Sequence, residues 1–165
     1  MKKIILILVT VFMTVFTGNA QLNVVNSGSN SKEAYLAKDM YSNIKSDNCG
    51  YTLNVKDCQS NQYIMVMLGT NTNDCKSSIE FILNWVKTSP KKAYIEIQTD
   101  NGNVTFYKYT QNQLAISYGD AEYIKKKINA LILNATVGSP SGRKHDDPLM
   151  GYVQVKQLEK ALQNM

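Results

Sequence analysis

The sequence predicts an α+β fold, a single small domain in which a mainly antiparallel sheet of about five strands is packed by helices, in the order α-β-β-α-β-β-β-α-α. Three observations carry that prediction. Apolar runs of strand length, most of them alternating, fall at 51–57, 63–68, 93–99, 104–109 and 114–118. Apolar stripes at three- and four-residue spacing fall at 32–44, 75–88 and 121–135. The gaps between successive strands are short, which favours a β-hairpin and a three-strand meander and therefore antiparallel pairing.

The first element is a basic pair, Lys2-Lys3, with an apolar run from Ile4 to Phe16 that only Thr10 and Thr14 interrupt. Thr17-Gly18-Asn19-Ala20 supplies small residues where a signal peptidase reads, so residues 1–20 are expected to be a cleaved signal peptide and Gln21 the first mature residue. The run is too short for an anchor, since at 1.5 Å per residue it covers roughly 20 Å of a ~30 Å hydrocarbon core. No Cys follows Ala20 to carry a lipid. The expected location is therefore secreted or periplasmic, with no membrane anchor after cleavage. Residues 21–31, rich in Asn and Ser, read as a flexible leader.

An α+β domain is expected over 32–135. Ser31 caps a helix over 32–44, with Leu36, Ala37, Met40, Tyr41 and Ile44 as its stripe, and Asp47-Asn48-Cys49-Gly50 breaks the chain. Tyr51, Leu53 and Val55 alternate in a first strand, and Cys58–Gln62 turns it into Tyr63–Leu68. That second strand is continuously apolar, which asks for cover on both faces or a central place in the sheet. Asp74 is the expected N-cap of a helix from Cys75 to Thr88, stopped by Ser89-Pro90, with Ile79, Ile82, Leu83 and Val86 buried. Asn101-Gly102 is a strong hairpin signal between the next two strands. Leu114, Ile116 and Tyr118 alternate in a third strand, and Asp120 caps the helix over 121–135. Residues 136–148, with two prolines and two glycines, read as a mobile loop. The end, 149–165, reads as a C-terminal docking helix on Val155, Leu158 and Leu162, with Tyr152–Val155 open to a strand reading.

Composition narrows the chemistry. The chain has 165 residues, 44% hydrophobic and 19% charged, enough for one ordinary core. Removing Lys2 and Lys3 takes the 18 basic residues to 16 against 13 acidic ones, a net of +3 that does not argue for nucleic acid. With one His, no multi-imidazole metal site is available, and no metal or cofactor is expected. His145 itself sits in Arg143-Lys144-His145-Asp146-Asp147, which reads as a solvated loop tip. Lys125-Lys126-Lys127 fans round a helix and reads as solvated flanks. Asn103-Val104-Thr105 and Asn134-Ala135-Thr136 match the glycan acceptor pattern, relevant only in a eukaryote.

The cysteines suggest a bond. Cys49 and Cys58 bracket an extended strand, which holds them about 30 Å apart where a disulfide needs roughly 4.4–6.8 Å. A hairpin returns the chain so that Cys75 meets Cys49 at its open end. A Cys49–Cys75 disulfide is therefore expected, with Cys58 free or intermolecular. If reduced, Cys75 at a helix N-terminus is expected to be the more acidic thiol.

Two surfaces are candidates for binding. Phe81 and Trp85 lie four apart on a side of their helix away from its stripe. Tyr94, Glu96 and Gln98 share a strand face to which a neighbouring strand adds Tyr107 and Tyr109. Phe81, Trp85, Tyr94, Tyr107 and Tyr109 are thus the candidate binding residues for a protein, peptide or glycan partner. No catalytic motif stands out, so the expected function is an exported, non-enzymatic binding or interaction domain. The alternatives are a secreted hydrolase using carboxylates such as Glu96 on cell-envelope or extracellular material, and a secreted toxin or inhibitor.

Overall fold

The structure, a computed structural model, describes residues 34–99, 102–137 (side chains through 131) and 147–165. Strands β1 (Ala34–Lys38), β2 (Ser42–Asp47), β3 (Gly50–Lys56) and β4 (Tyr63–Gly69) precede helix α1 (Thr72–Thr88). Strands β5 (Tyr94–Thr99), β6 (Gly102–Lys108) and β7 (Gln113–Ser117) follow, then α2 (Ala121–Val137), β8 (Met150–Gln154) and α3 (Val155–Gln163). The strands form two antiparallel sheets of four, ordered β1-β2-β3-β4 and β5-β6-β7-β8. Three helices with two antiparallel sheets make the α+β class and the antiparallel pairing hold, and the described residues form one compact unit. The signal peptide, the leader and the loop over 138–146, with His145, lie outside the described residues.

The helix expected over 32–44 is replaced by β1 and β2. Asp39 Oδ1 accepts from the N–H groups of both Tyr41 and Ser42 at 2.8 Å, and this side-chain turn reverses the chain where a helix would continue. Its apolar stripe is met by alternation as well: Ala37 pairs with Ile44, and Ile44 with Leu53, all facing the core. The break at 47–50 is a tight turn. Gly50 has φ of 126°, and a Cβ there would lie 2.4 Å from the Gly69 carbonyl oxygen.

The hairpin through 57–62 forms as expected, with Lys56 opposite Tyr63 and Leu53 opposite Val66. Its second strand is neither central nor covered on both faces. β4 is an edge strand whose Ile64, Val66 and Leu68 are buried while Tyr63, Met65 and Met67 are exposed. Helix α1 begins a turn earlier than Asp74 predicts. Asn71 is the N-cap and accepts from the Asp74 N–H at 3.0 Å, while its own amide donates to Asp74 Oδ2 at 2.7 Å. Asp120 does cap α2, accepting from the Tyr123 N–H at 2.7 Å. Of the last segment, Met150–Gln154 is a strand antiparallel to β7, and only the remainder is helix.

One apolar core joins the inner faces of both sheets to α1 and α3. Ile44, Leu53, Val55 and Ile64 from the first sheet and Phe106, Leu114, Ile116 and Val153 from the second are fully buried in it, with Ile79 and Leu158 from the helices. The other face of the second sheet is covered by α2 through Ile124 and Ile128, packed on Tyr107, Ala115 and Met150. The sheets also touch directly. Asp57 bridges to Gly151, where a Cβ would lie 2.2 Å from the Lys56 carbonyl oxygen, so only glycine lets β8 come this close.

Lys108, at the end of β6, is fully buried on the core side. Its ammonium donates to the carbonyls of Val86 and Ser89, the latter at 2.5 Å. Those carbonyls close α1, so the cation sits where the helix dipole is negative and its orphan acceptors need donors.

Candidate binding surface

The five predicted binding residues do not form one surface. Tyr94 and Tyr107 are register partners across β5 and β6, and the row continues through Ala115 to Tyr152. That is the face α2 covers. Tyr107 is buried there, and Tyr109 stacks obliquely on Tyr152 with ring centroids 5.9 Å apart. Burial pushes the Tyr152 phenol up to about 12, and the neighbouring Cys58 and Tyr109 add to the shift. Tyr94 stays exposed on the edge strand, as does Glu96 beside it. Phe81 and Trp85 belong to α1. Trp85 is half-buried against the main core, whereas Phe81 is 53% exposed. The polar tyrosine face predicted from alternation is thus correctly grouped, but a helix that begins 12 residues or more away in sequence takes up most of it.

Sequence reasoning missed a different surface. The first sheet has one face in the core, and among the described residues no helix or strand packs on the other. Register sets its rows: Tyr35, Lys45, Thr52 and Met67 in one, and Lys38, Asn43, Asn54 and Met65 in the next. Lys56 and Tyr63 begin a third. Tyr63, Met65 and Met67 are 48%, 52% and 50% exposed, a continuous apolar row along β4. Beside it, the Asn54 amide donates to Asn43 Oδ1 at 3.0 Å and to Thr52 Oγ1 at 3.3 Å, and Lys38 lies 4.8 Å from the Tyr35 ring centroid. The face therefore offers apolar area and lysine side chains, while the buried Asn54 amide ties Asn43 and Thr52 together beneath them. The signal was present in the sequence as alternation within β4. It was hidden because both alternating sets are apolar.

The cysteines are all thiols, so the expected Cys49–Cys75 bond is corrected. Topology does bring both to one end of the first sheet, but orientation separates them. Cys49 is exposed in the β2–β3 turn, while the Cys75 side chain is fully buried on the core face of α1. The acidity expected for Cys75 is corrected with it. Burial raises this thiol from 9.0 to about 11, outweighing its place near a helix N-terminus.

The carboxylates act structurally where they are buried. Asp57 Oδ1 accepts from the Met150 N–H at 2.9 Å, and Oδ2 accepts from Ser60 Oγ at 2.7 Å and the Gln59 N–H at 3.2 Å. A shallow depression of about 350 Å³ opens at this loop, lined by Lys56 through Asn61. Glu96 is not part of it. The lysine run is also less uniform than predicted: Lys127 is paired with Asp147 at 2.6 Å, and Lys125 with Glu122.

Comparison with protein-family models, with curated proteins and with solved structures found no match to any of them.

Proposed function

We propose that this is an exported, non-enzymatic interaction domain, and that its contact surface is the outer face of the first sheet. The observation that carries the reading is the row Tyr63, Met65 and Met67, covered by none of the described elements, with Lys56 beside it and Lys45 and Lys38 two and three strands away on the same face. Methionine gives adaptable apolar contact and tyrosine a large ring with a polar tip, and lysine stems extend the area while their charged ends reach towards water. A protein or peptide partner fits such a flat face better than a small molecule, which needs concavity.

Site-specific photo-crosslinking tests the surface in producing cells. A probe at position 67 is expected to capture one defined polypeptide other than a second copy of this chain, and a probe at Glu80, exposed on α1, is not. Equal labelling from the two positions, or none from position 67, would overturn the assignment. Export is tested separately. The intact mass of extracellular or periplasmic protein should correspond to a chain beginning at Gln21.

A further inference from the structure

Four strands are sheet edges, and three of them carry features that discourage pairing with another chain. β1 has a bulge between Tyr35 and Ala37 and ends in Lys38. β5 carries Glu96 at its middle. β8 is held by the Asp57–Gly151 bridge and by the Cys58 N–H, which donates to the Met150 carbonyl at 2.9 Å. β4 differs. From Tyr63 to Met67 it has no charge, no proline and no bulge, and its exposed side chains are apolar.

The backbone of β4 defines which groups are available. The Met65 N–H points away from β3, towards the Tyr118 hydroxyl at 3.4 Å. Tyr63 and Met67 share that direction, because alternate residues in an antiparallel pair point the same way. At 3.4 Å the tyrosine contact is at the outer limit of a hydrogen bond, and strand pairing requires the partly buried Tyr118 to yield this N–H to a carbonyl.

We propose that β4 pairs antiparallel with β4 of a second copy, centred on Met65, to make one eight-stranded sheet across a two-fold axis. The strand is self-complementary in this register. Met65 meets Met65 of the second copy, Tyr63 meets Met67, and Ile64 meets Val66, so exposed apolar groups oppose one another and core-facing groups do likewise. Charge favours this edge contact over stacking of the two outer faces. Stacking would bring Lys38 and Lys56, together with Lys45 and the Asp47 carboxylate 3.9 Å from it, against the same set on the other face, whereas edge pairing leaves Lys56 four strand spacings from the other copy's Lys45. That is ~19 Å, about twice the screening length at physiological salt. The pairing would double the uncovered face, and it stands independently of whether that face binds another protein.

Sedimentation equilibrium of the mature protein in reductant, from micromolar to hundreds of micromolar, is the test. The mass is expected to rise from monomer to dimer, and Met65→Lys, a change at an exposed side chain, should stay monomeric with an unchanged circular dichroism spectrum. A wild-type monomer throughout, or a Met65→Lys dimer as tight as wild type, overturns the proposal. Register is read in a Cys49→Ser/Cys58→Ser background under oxidised glutathione. Met65→Cys should cross-link to itself, since opposed residues in a bonded pair lie ~5.5 Å apart, within disulfide reach. Met67→Cys should not, and equal cross-linking by both overturns the register.

Discussion

Replacing Lys108 by Met probes the least expected feature of the core. The methionine keeps most of the apolar stem but removes the ammonium that donates to the Val86 and Ser89 carbonyls. Two effects oppose each other. Relief from burying a charge favours the variant, by several kcal/mol in the general case. Against it stand two charge-assisted hydrogen bonds at about 1.5–3 kcal/mol each and a helix-dipole contact worth up to ~2 kcal/mol. The carbonyls left behind also stay close to buried, with no donor to replace the lost one. The balance is a loss of about 2–4 kcal/mol, since breaking a buried polar network from one side is more costly than never building it. Urea unfolding followed by far-UV circular dichroism measures this. With a slope of about 2 kcal/mol per molar, the midpoint should fall by roughly 1–2 M at an unchanged slope. A Lys108→Met midpoint equal to wild type would refute the helix-closing role and leave the lysine as buried by accident of packing.

Four further outcomes are expected. Asp57→Ala should cost about 3 kcal/mol, because it strips the acceptor from the buried Met150 N–H together with those of Ser60 and Gln59, and limited proteolysis should then cut within 57–62. Trp85→Ala should cost about 2–3 kcal/mol, less than a fully buried tryptophan, while Phe81→Ala should stay within ~0.5 kcal/mol in thermal melts. Gln157 is buried with Oε1 unpartnered, so Gln157→Met should raise the melting temperature, corresponding to about 1 kcal/mol. Cys75, with its thiol raised from 9.0 to about 11, should resist alkylation at pH 8 while Cys49 and Cys58 react. A raised folded-state value means that the neutral thiol stabilises the fold, fully below pH 9, with the contribution lost as pH rises from 9 through 11 and no further loss above, a difference of about 2–3 kcal/mol that Cys75→Ser should abolish in pH-dependent unfolding.

Elements with their own local chemistry were legible. α1 and α2 each show a stripe, capping-type residues at the start and, for α1, a Ser89-Pro90 stop; the hairpins through 58–62 and at Gly102 have short loops between alternating strands. The errors have a common physical origin. Over 32–44, helical and alternating spacing fit the same apolar residues, and the deciding contacts are ladders to β3 together with one Asp39 turn. In α1, a run of residues that all cap well left the start undetermined by a turn, until the reciprocal Asn71–Asp74 bonds selected it.

Sequence alone determined the class of the fold, the antiparallel sense of its strands and the inward faces of its main helices, because period and turn chemistry are local properties of a chain. Tertiary structure decided what those patterns could not encode. Tyr107 is buried because α2 returns over its sheet, Tyr63, Met65 and Met67 are exposed because none of the described elements returns over theirs, and Cys75 misses Cys49 because its side chain turns into the core. The Lys108 ammonium finds its acceptors in carbonyls that lie 19 and 22 residues away in sequence. Which face is covered, and which charge is satisfied, depends on partners distant along the chain, and a one-dimensional pattern carries no record of who those partners are.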